Sequence, residues 1–225
     1  MPSAQPNYPL LAIDTCSKLT WVGLKTDASS LLERSDGRDP SKSLFPLVSE
    51  ALDQAGLRLE ELRSIVFCEG PGSMLGARTA VMTLRAWQGI GIPAANTVFA
   101  YHSLALGQAL CTRSAWSDSS ALVVSDARRN SWYGFPHPSS PSSQIELFDN
   151  DAIEAETRRL VSFPEFARWT KTKATLHELP YRPGELFSGD EYREIIRPVE
   201  QAAPLALRPS DFKKWIPTIH SAQNA

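Results

Sequence analysis

The chain carries one short pattern twice, and this limits its fold more than any other feature. Leu10-Leu11-Ala12-Ile13-Asp14 is an apolar run that ends in aspartate, and Trp21-Val22-Gly23 follows seven residues after that aspartate. Leu122-Val123-Val124-Ser125-Asp126 repeats the run, and Trp132-Tyr133-Gly134 follows six residues after Asp126. The two aspartates stand 112 positions apart in a chain of 225 residues, so the spacing is half the chain. Aspartate ends many strands, and one such match would mean little. The shared Trp-x-Gly makes duplication the better explanation. Each copy reads as strand, short turn and returning strand, which makes the start of each half antiparallel.

The rest of the first half alternates. Residues 30–34 are a possible third strand, and residues 35–40 are a polar loop. A helix follows with Leu44, Leu47, Val48, Ala51, Leu52 and Ala55 on one side. With Ser43 as N-cap, Pro46 falls in the first turn, where a missing N–H costs nothing. Gly56 is a suitable C-terminal stop. The β-branched and aromatic run Ser64–Cys68 reads as a buried strand. A helix over residues 74–88, a strand over 94–98 behind Pro93 and a helix over 101–111 complete a mixed-sheet α/β lobe, placed at residues 1–112. Residues 113–225 make a smaller second lobe. There, 136–143 reads as a Pro/Ser loop, 145–148 as a third strand and Asp149-Asn150 as the start of a short helix. Ser162 and Glu165 have capping-box spacing for another helix. The tail is rich in proline, and its last element is expected over residues 211–215.

Between strand 64–68 and the next helix stands Glu-Gly-Pro-Gly-Ser-Met-Leu-Gly-Ala-Arg, residues 69–78. A Gly-rich strand-to-helix turn aims backbone N–H groups at one point beside a positive helix end. Two phosphate motifs come close and fail. Gly76 is followed by Ala77 and Arg78, without the lysine and hydroxyl of a P-loop, and it stands one residue too late for Gly-x-Gly-x-x-Gly. The alternative is a tight turn in which Gly70, Pro71, Gly72, Ser73 and Gly76 let another element, or another chain, come close. Ser73 is placed to cap the helix through the N–H of Leu75 or Gly76.

Composition removes several classes. Lys plus Arg number 23 and Asp plus Glu 25, a net charge of -2, so overall charge gives no case for gripping nucleic acid alone. Cys16, Cys68 and Cys111 are odd in number and scattered, as expected of reduced core thiols. The four histidines have no metal-binding spacing and no Gly-x-Ser-x-Gly elbow occurs, so neither metal nor cofactor is expected. Residues 1–8 lack the flank and apolar centre of a signal peptide, and no apolar run reaches membrane-spanning length. The expectation is a soluble cytoplasmic protein that does not engage membranes.

Two lobes that each open with a strand ending in aspartate resemble the actin/Hsp70/sugar-kinase (ASKHA) fold, duplicated, with the second lobe reduced. Within it, Ala12-Ile13-Asp14-Thr15, Gly70-Pro71-Gly72-Ser73 with Gly76 and Arg78, and Val124-Ser125-Asp126-Ala127-Arg128 resemble the TsaB (YeaZ) family. That family's loop is Gly-Pro-Gly-Ser-Phe-Thr-Gly-x-Arg, and this chain has Met74 and Leu75 in place of Phe-Thr. Pro204-Leu205-Ala206-Leu207-Arg208 is similar to the family's Pro-x-Tyr-Leu-Arg ending, whereas Pro40-Ser41 stands where relatives tend to have His-Ser. The resemblance implies a non-catalytic subunit that makes threonylcarbamoyladenosine beside the tRNA anticodon together with the transferase TsaD and the ATPase TsaE. It implies a four-helix bundle with TsaD through residues 43–55 and 74–88, hence through Leu44, Leu47, Val48, Ala51, Met74, Ala77, Arg78, Val81, Leu84 and Arg85. It implies tRNA contact only through the complex, and a homodimer when the partner is absent. An exposed apolar patch over Leu44, Val48, Val81 and Leu84 is expected on that basis.

A second class stays open. Asp14, beside Thr15, and Asp126 stand where kinases of this fold hold magnesium and phosphate, and two facing carboxylates are a reasonable magnesium site. Each can equally bond the N–H groups of its own hairpin turn. A peptidase reading is disfavoured, since TsaD relatives once called glycoproteases hold a metal between paired histidines that this chain lacks.

Overall fold

The computed structural model describes residues 5–114, 120–139 and 143–207. β1 (Leu10–Asp14) and β2 (Thr20–Lys25) form the first hairpin, and β3 (Leu32–Asp36) extends it. Then come α1 (Pro40–Ala55), β4 (Ser64–Cys68), α2 (Met74–Gly89), β5 (Val98–Tyr101) and α3 (Ser103–Thr112). The second half runs β6 (Ala121–Arg128), β7 (Ser131–His137), β8 (Glu146–Asp149), α4 (Asn150–Glu154), β9 (Arg159–Ser162), β10 (Leu176–Glu178), α5 (Pro183–Phe187) and β11 (Arg197–Val199).

The duplication is carried by the sheets. The first has the order β11-β5-β4-β1-β2-β3, and the second β10-β9-β6-β7-β8. In each, the strand that carries the repeated aspartate lies between its antiparallel hairpin partner and a parallel strand; β1 ends at Asp14, whereas β6 runs on past Asp126 to Arg128 through a register shift. The register repeats as well: Asp14 pairs with Trp21, and Asp126 with Trp132. The second lobe is the reduced one. Its α4 has 5 residues where α1 has 16, and no helix lies in the described stretch 163–175 between β9 and β10.

Alternation along β1 divides the first lobe's core. Leu11 and Ile13 face α1 and α2, whereas Leu10 and Ala12 face α3. α3 lies between the two sheets, and its Leu104, Leu106 and Leu110 pack with Val66 of one sheet and Val123 and Phe135 of the other. One continuous core therefore joins the lobes. On the far side of the second sheet, Leu122, Val124 and Trp132 pack with Ile153 of α4. After β10 the chain returns to the first lobe, where β11 pairs antiparallel with β5.

Several boundaries differ from the expectation. Asp39, not Ser43, caps α1, accepting from Ser41 N–H at 2.9 Å, and Pro40 takes the first helical position. Pro46 therefore lies inside the helix. Its ring is exposed and does not enter the core. Pro93 starts a 3-10 turn over Pro93–Asn96, which moves the next strand to Val98–Tyr101, and His102 begins α3. Pro136 belongs to β7, at a place where β8 no longer pairs and no N–H is required. Residues 162–165 form no helix. Ser162 ends a parallel strand, and the Glu165 carboxylate accepts from Tyr181 N–H at 3.0 Å. The other strand and helix limits shift by a residue or two at each end, and the expected element at 211–215 and Arg208 lie outside the described residues.

Candidate functional site

The Gly turn is a joint within the chain. A Cβ on Gly76 would stand 1.7 Å from the Thr15 carbonyl oxygen, and one on Gly72 2.3 Å from that of Cys16. The β1–β2 turn of the same chain therefore fills the close approach, and no partner is needed there. Thr15 Oγ1 donates to Gly76 O at 2.8 Å, and Ser73 N–H to Cys16 O at 2.7 Å. Ser103 N–H takes Gly70 O at 2.8 Å, and Ser103 Oγ takes Pro71 O at 2.5 Å. Ser73 caps α2 by accepting from Gly76 N–H at 3.1 Å. A C-terminal strap closes the joint from outside. Arg197 holds both carboxylate oxygens of Glu69, at 2.8 and 2.7 Å, and Leu205 N–H donates to Glu69 O at 2.8 Å.

The two aspartates do not meet. Asp14 is sealed in the core, 1% exposed. Its Oδ2 accepts from the hydroxyls of Tyr101 and Tyr181, each at 2.7 Å, and its Oδ1 from Cys16 N–H at 2.9 Å. Burial raises its pKa above the usual carboxylate value. Cys16 and Cys68 are close enough to Asp14 to form a three-ligand cluster, but all three are buried, and burial pushes the Cys68 thiol well above its usual range. That chemistry suits a packed hydrogen-bonded core better than a cation site, which needs ionised ligands. Asp126 instead borders the cleft between the lobes, about 240 Å³, together with Gly72, Met74, Arg128 and Trp169. Its carboxylate is occupied: Arg128 N–H binds Oδ1 at 2.5 Å, and the N–H groups of Trp169 and Thr170 bind Oδ2 at 2.6 and 2.5 Å.

The two helices turn different faces outward from those expected. Leu44, Val48, Val81 and Leu84 are 0, 4, 3 and 2% exposed, so the patch expected over them is part of the chain's own core. Leu47 and Ala51 are buried with them against the face of the first sheet that carries Leu11 and Ile13, and Ala77 is buried in the cluster that includes Leu10, Cys16 and Cys68. Each such Leu or Val is worth about 2 kcal/mol when buried. The outward apolar surface of α1 and α2 keeps Met74 of the expected set, 50% exposed, and adds Phe45, Leu75 and Met82, which are 51, 58 and 61% exposed. Phe45 also stands edge-on to Trp87, ring centroids 6.3 Å apart, so the two helices share this face. Arg78 and Arg85 are exposed beside it, and Arg85 reaches Ala202 O at 3.2 Å.

Sequence reasoning missed Tyr101, Tyr181, Trp169, the Glu69–Arg197 pair and the placement of Phe45 and Met82, whereas Met74, Arg78 and Arg85 of the expected set do face outward. The outward face was legible in the helical phase, since Met82 and Phe45 lie off the buried stripe. No spacing signal connects Tyr181 with Asp14, which are 167 positions apart.

Known proteins match at three levels. The family model for TsaD, tRNA N6-adenosine threonylcarbamoyltransferase, matches residues 35–136. The tRNA threonylcarbamoyladenosine biosynthesis protein TsaB of Haemophilus influenzae is 34% identical over 77 residues, which is 32% of this chain. That match spans 31% of the relative, about a third of its length. Among solved structures, YeaZ from Pseudomonas aeruginosa superposes with a TM-score of 0.62 at 22% identity, over 88% of this chain and 99% of that one. A second structure, titled as an uncharacterized protein with similarity to peptidase YeaZ from Pseudomonas aeruginosa, gives 0.58 over the same shares. The fold is that of YeaZ, and the resemblance to the TsaB (YeaZ) family read from the motifs recurs in sequence and in three dimensions.

Proposed function

We propose that this chain is a non-catalytic subunit in the biosynthesis of threonylcarbamoyladenosine in tRNA, and that it supports TsaD by docking through α1 and α2. The outward apolar face carries this reading. Phe45, Leu75 and Met82 are each more than half exposed on two neighbouring helices whose inner faces are already used by the core. Exposed apolar surface of this kind marks an interaction site. The name of the Haemophilus relative and the TsaD family match, which covers α1 and α2, support a place in this tRNA modification, and the choice of TsaD as partner comes from the resemblance read in the motifs. The internal hydrogen bonding of Asp14 and Asp126 supports a supporting rather than a catalytic role. A second copy of the chain is the occupant of the face when TsaD is absent. TsaE enters this reading through the resemblance alone, and tRNA is met within the assembled complex.

Co-purification with the TsaD of the same organism tests the reading. The expected result is a complex with the wild-type chain that is lost with Phe45→Asp or Met82→Asp, both of which remain folded because these side chains lie outside the core. Val81→Asp would not serve, since it places a carboxylate in the core. Failure of the wild-type chain to retain TsaD would overturn the proposal. So would magnesium-dependent ATP hydrolysis by the chain alone, which would favour the kinase class.

A further inference from the structure

We infer that the second lobe carries an RNA-binding face, built from the β6–β7 turn and the segment after β9, and that its ligand is a single-stranded RNA loop. Arg128, Arg129 and Asn130 have φ of 61, 50 and 59° and stand exposed at the tip of the hairpin. The N–H groups of Trp169 and Thr170 fasten the second segment to the hairpin through Asp126. The carboxylate beneath this surface is thereby spent on backbone donors. The Arg128 guanidinium lies 4.2 Å over the Trp169 ring, and Trp169 is still 56% exposed. Arg168, Lys171 and Lys173 are exposed on the same segment, which has no acidic residue between 168 and 173.

Basic side chains on two joined segments, with an exposed indole between them, match the chemistry of an unpaired RNA strand. Phosphates take the cations, and an unstacked base takes the open part of the aromatic ring. The Arg128–Trp169 pair holds the ring in place before binding, which lowers the ordering cost. A duplex keeps its bases stacked and can use only the charges. Three carboxylates adjoin the face, and each has a partner on it: Asp126 on the N–H groups of Trp169 and Thr170, Glu178 on Arg168 at 3.4 Å, and Glu154 on Lys173 N–H at 2.8 Å. Five cations, Arg128, Arg129, Arg168, Lys171 and Lys173, stand against these three acids, a local excess that is compatible with a net charge of -2 for the chain. The inference deepens the proposed role by naming what the second lobe touches, and it rests on that role only for which RNA is bound.

The test is fluorescence anisotropy with a labelled RNA hairpin carrying about seven unpaired nucleotides, against a blunt duplex of equal length. The full chain is measured alone and with TsaD, in wild-type form and as Trp169→Ala and Arg129→Glu/Lys171→Glu. Retention of TsaD is scored in the same samples, so failure of assembly and failure of RNA binding are read separately. The expected result is a hairpin preference of about tenfold that Trp169→Ala abolishes. The charge-reversed variant should bind both RNAs at least about tenfold more weakly, with a salt slope reduced by about two. If both variants bind the hairpin as tightly as wild type, with and without TsaD, the inference falls. If an acidic peptide competes as well as RNA at equal charge, the face is a protein-docking site and the inference likewise falls.

Discussion

At the residue scale, the tightest constraints are single atoms. Gly76 has no room for a Cβ because the neighbour is a backbone oxygen, which cannot rotate away. Gly76→Ala should therefore cost about 3 kcal/mol or more in urea unfolding. Gly89, at the end of the same helix, has nothing within 4 Å of an added Cβ. Gly89→Ala should be neutral or stabilising by up to about 1 kcal/mol, and equal effects at the two positions would contradict the packing account. His102 gives a pH signature. Its Nδ1 caps α3 by accepting from Ala105 N–H at 2.9 Å, and burial, with Arg197 nearby, holds its pKa down at about 4. The unfolded chain takes up this proton near pH 6.5 and the folded chain only near pH 4, so the unfolded state binds more protons in that window. Stability should fall as pH drops through it, by a total on the order of 3 kcal/mol. His102→Asn keeps an acceptor at the cap and should flatten that part of the profile. An unchanged pH dependence of the melting temperature would exclude His102 as its source.

At the element scale, the value of a sequence signal depended on how local its cause was. The hairpins, Ser64–Cys68, Gly56 and the Ser73 cap were legible because runs of side chains and single capping bonds determine them. The start of α1 was misread because Ser43 and Asp39 are both good caps, and the choice went to Asp39 followed by Pro40. The capping-box spacing of Ser162 and Glu165 suggests a helix that does not form, and the strand Arg159–Ser162 before it gives no signal because a four-residue parallel strand has too few positions to show alternation. The resemblance turned Met74, Ala77, Val81 and Leu84 of α2 toward a partner, and nothing local shows that the chain's own core takes the last three. The outward side consists of Met82 and its neighbours, and charge placed there should abolish docking while leaving the melting temperature within about 2 °C of wild type. A large loss of stability in Met82→Asp would mean that this face is part of the core after all.

At the scale of the whole molecule, the duplicated halves do not act as separate units. The core around α3 takes side chains from both sheets, and the segment after β10 returns to complete the first sheet. Calorimetry should show one cooperative transition, and two resolved transitions would contradict this. The repeat revealed the two-lobed plan, but the returning strap was hidden, because its pairing is set by tertiary contacts of Arg197 and Leu205. Of the candidate site, the sequence indicated the two helices and the Gly turn. It did not indicate that the turn is consumed inside the chain, which is why the outward helical face is the surface proposed for a partner. Threonylcarbamoyl transfer to tRNA by TsaD, assayed with and without this chain, tests that account most directly. The account predicts that transfer requires the chain, that Met82→Asp removes the support, and that the chain alone transfers nothing. Equal transfer by TsaD without it, or transfer by the chain alone, would contradict the account.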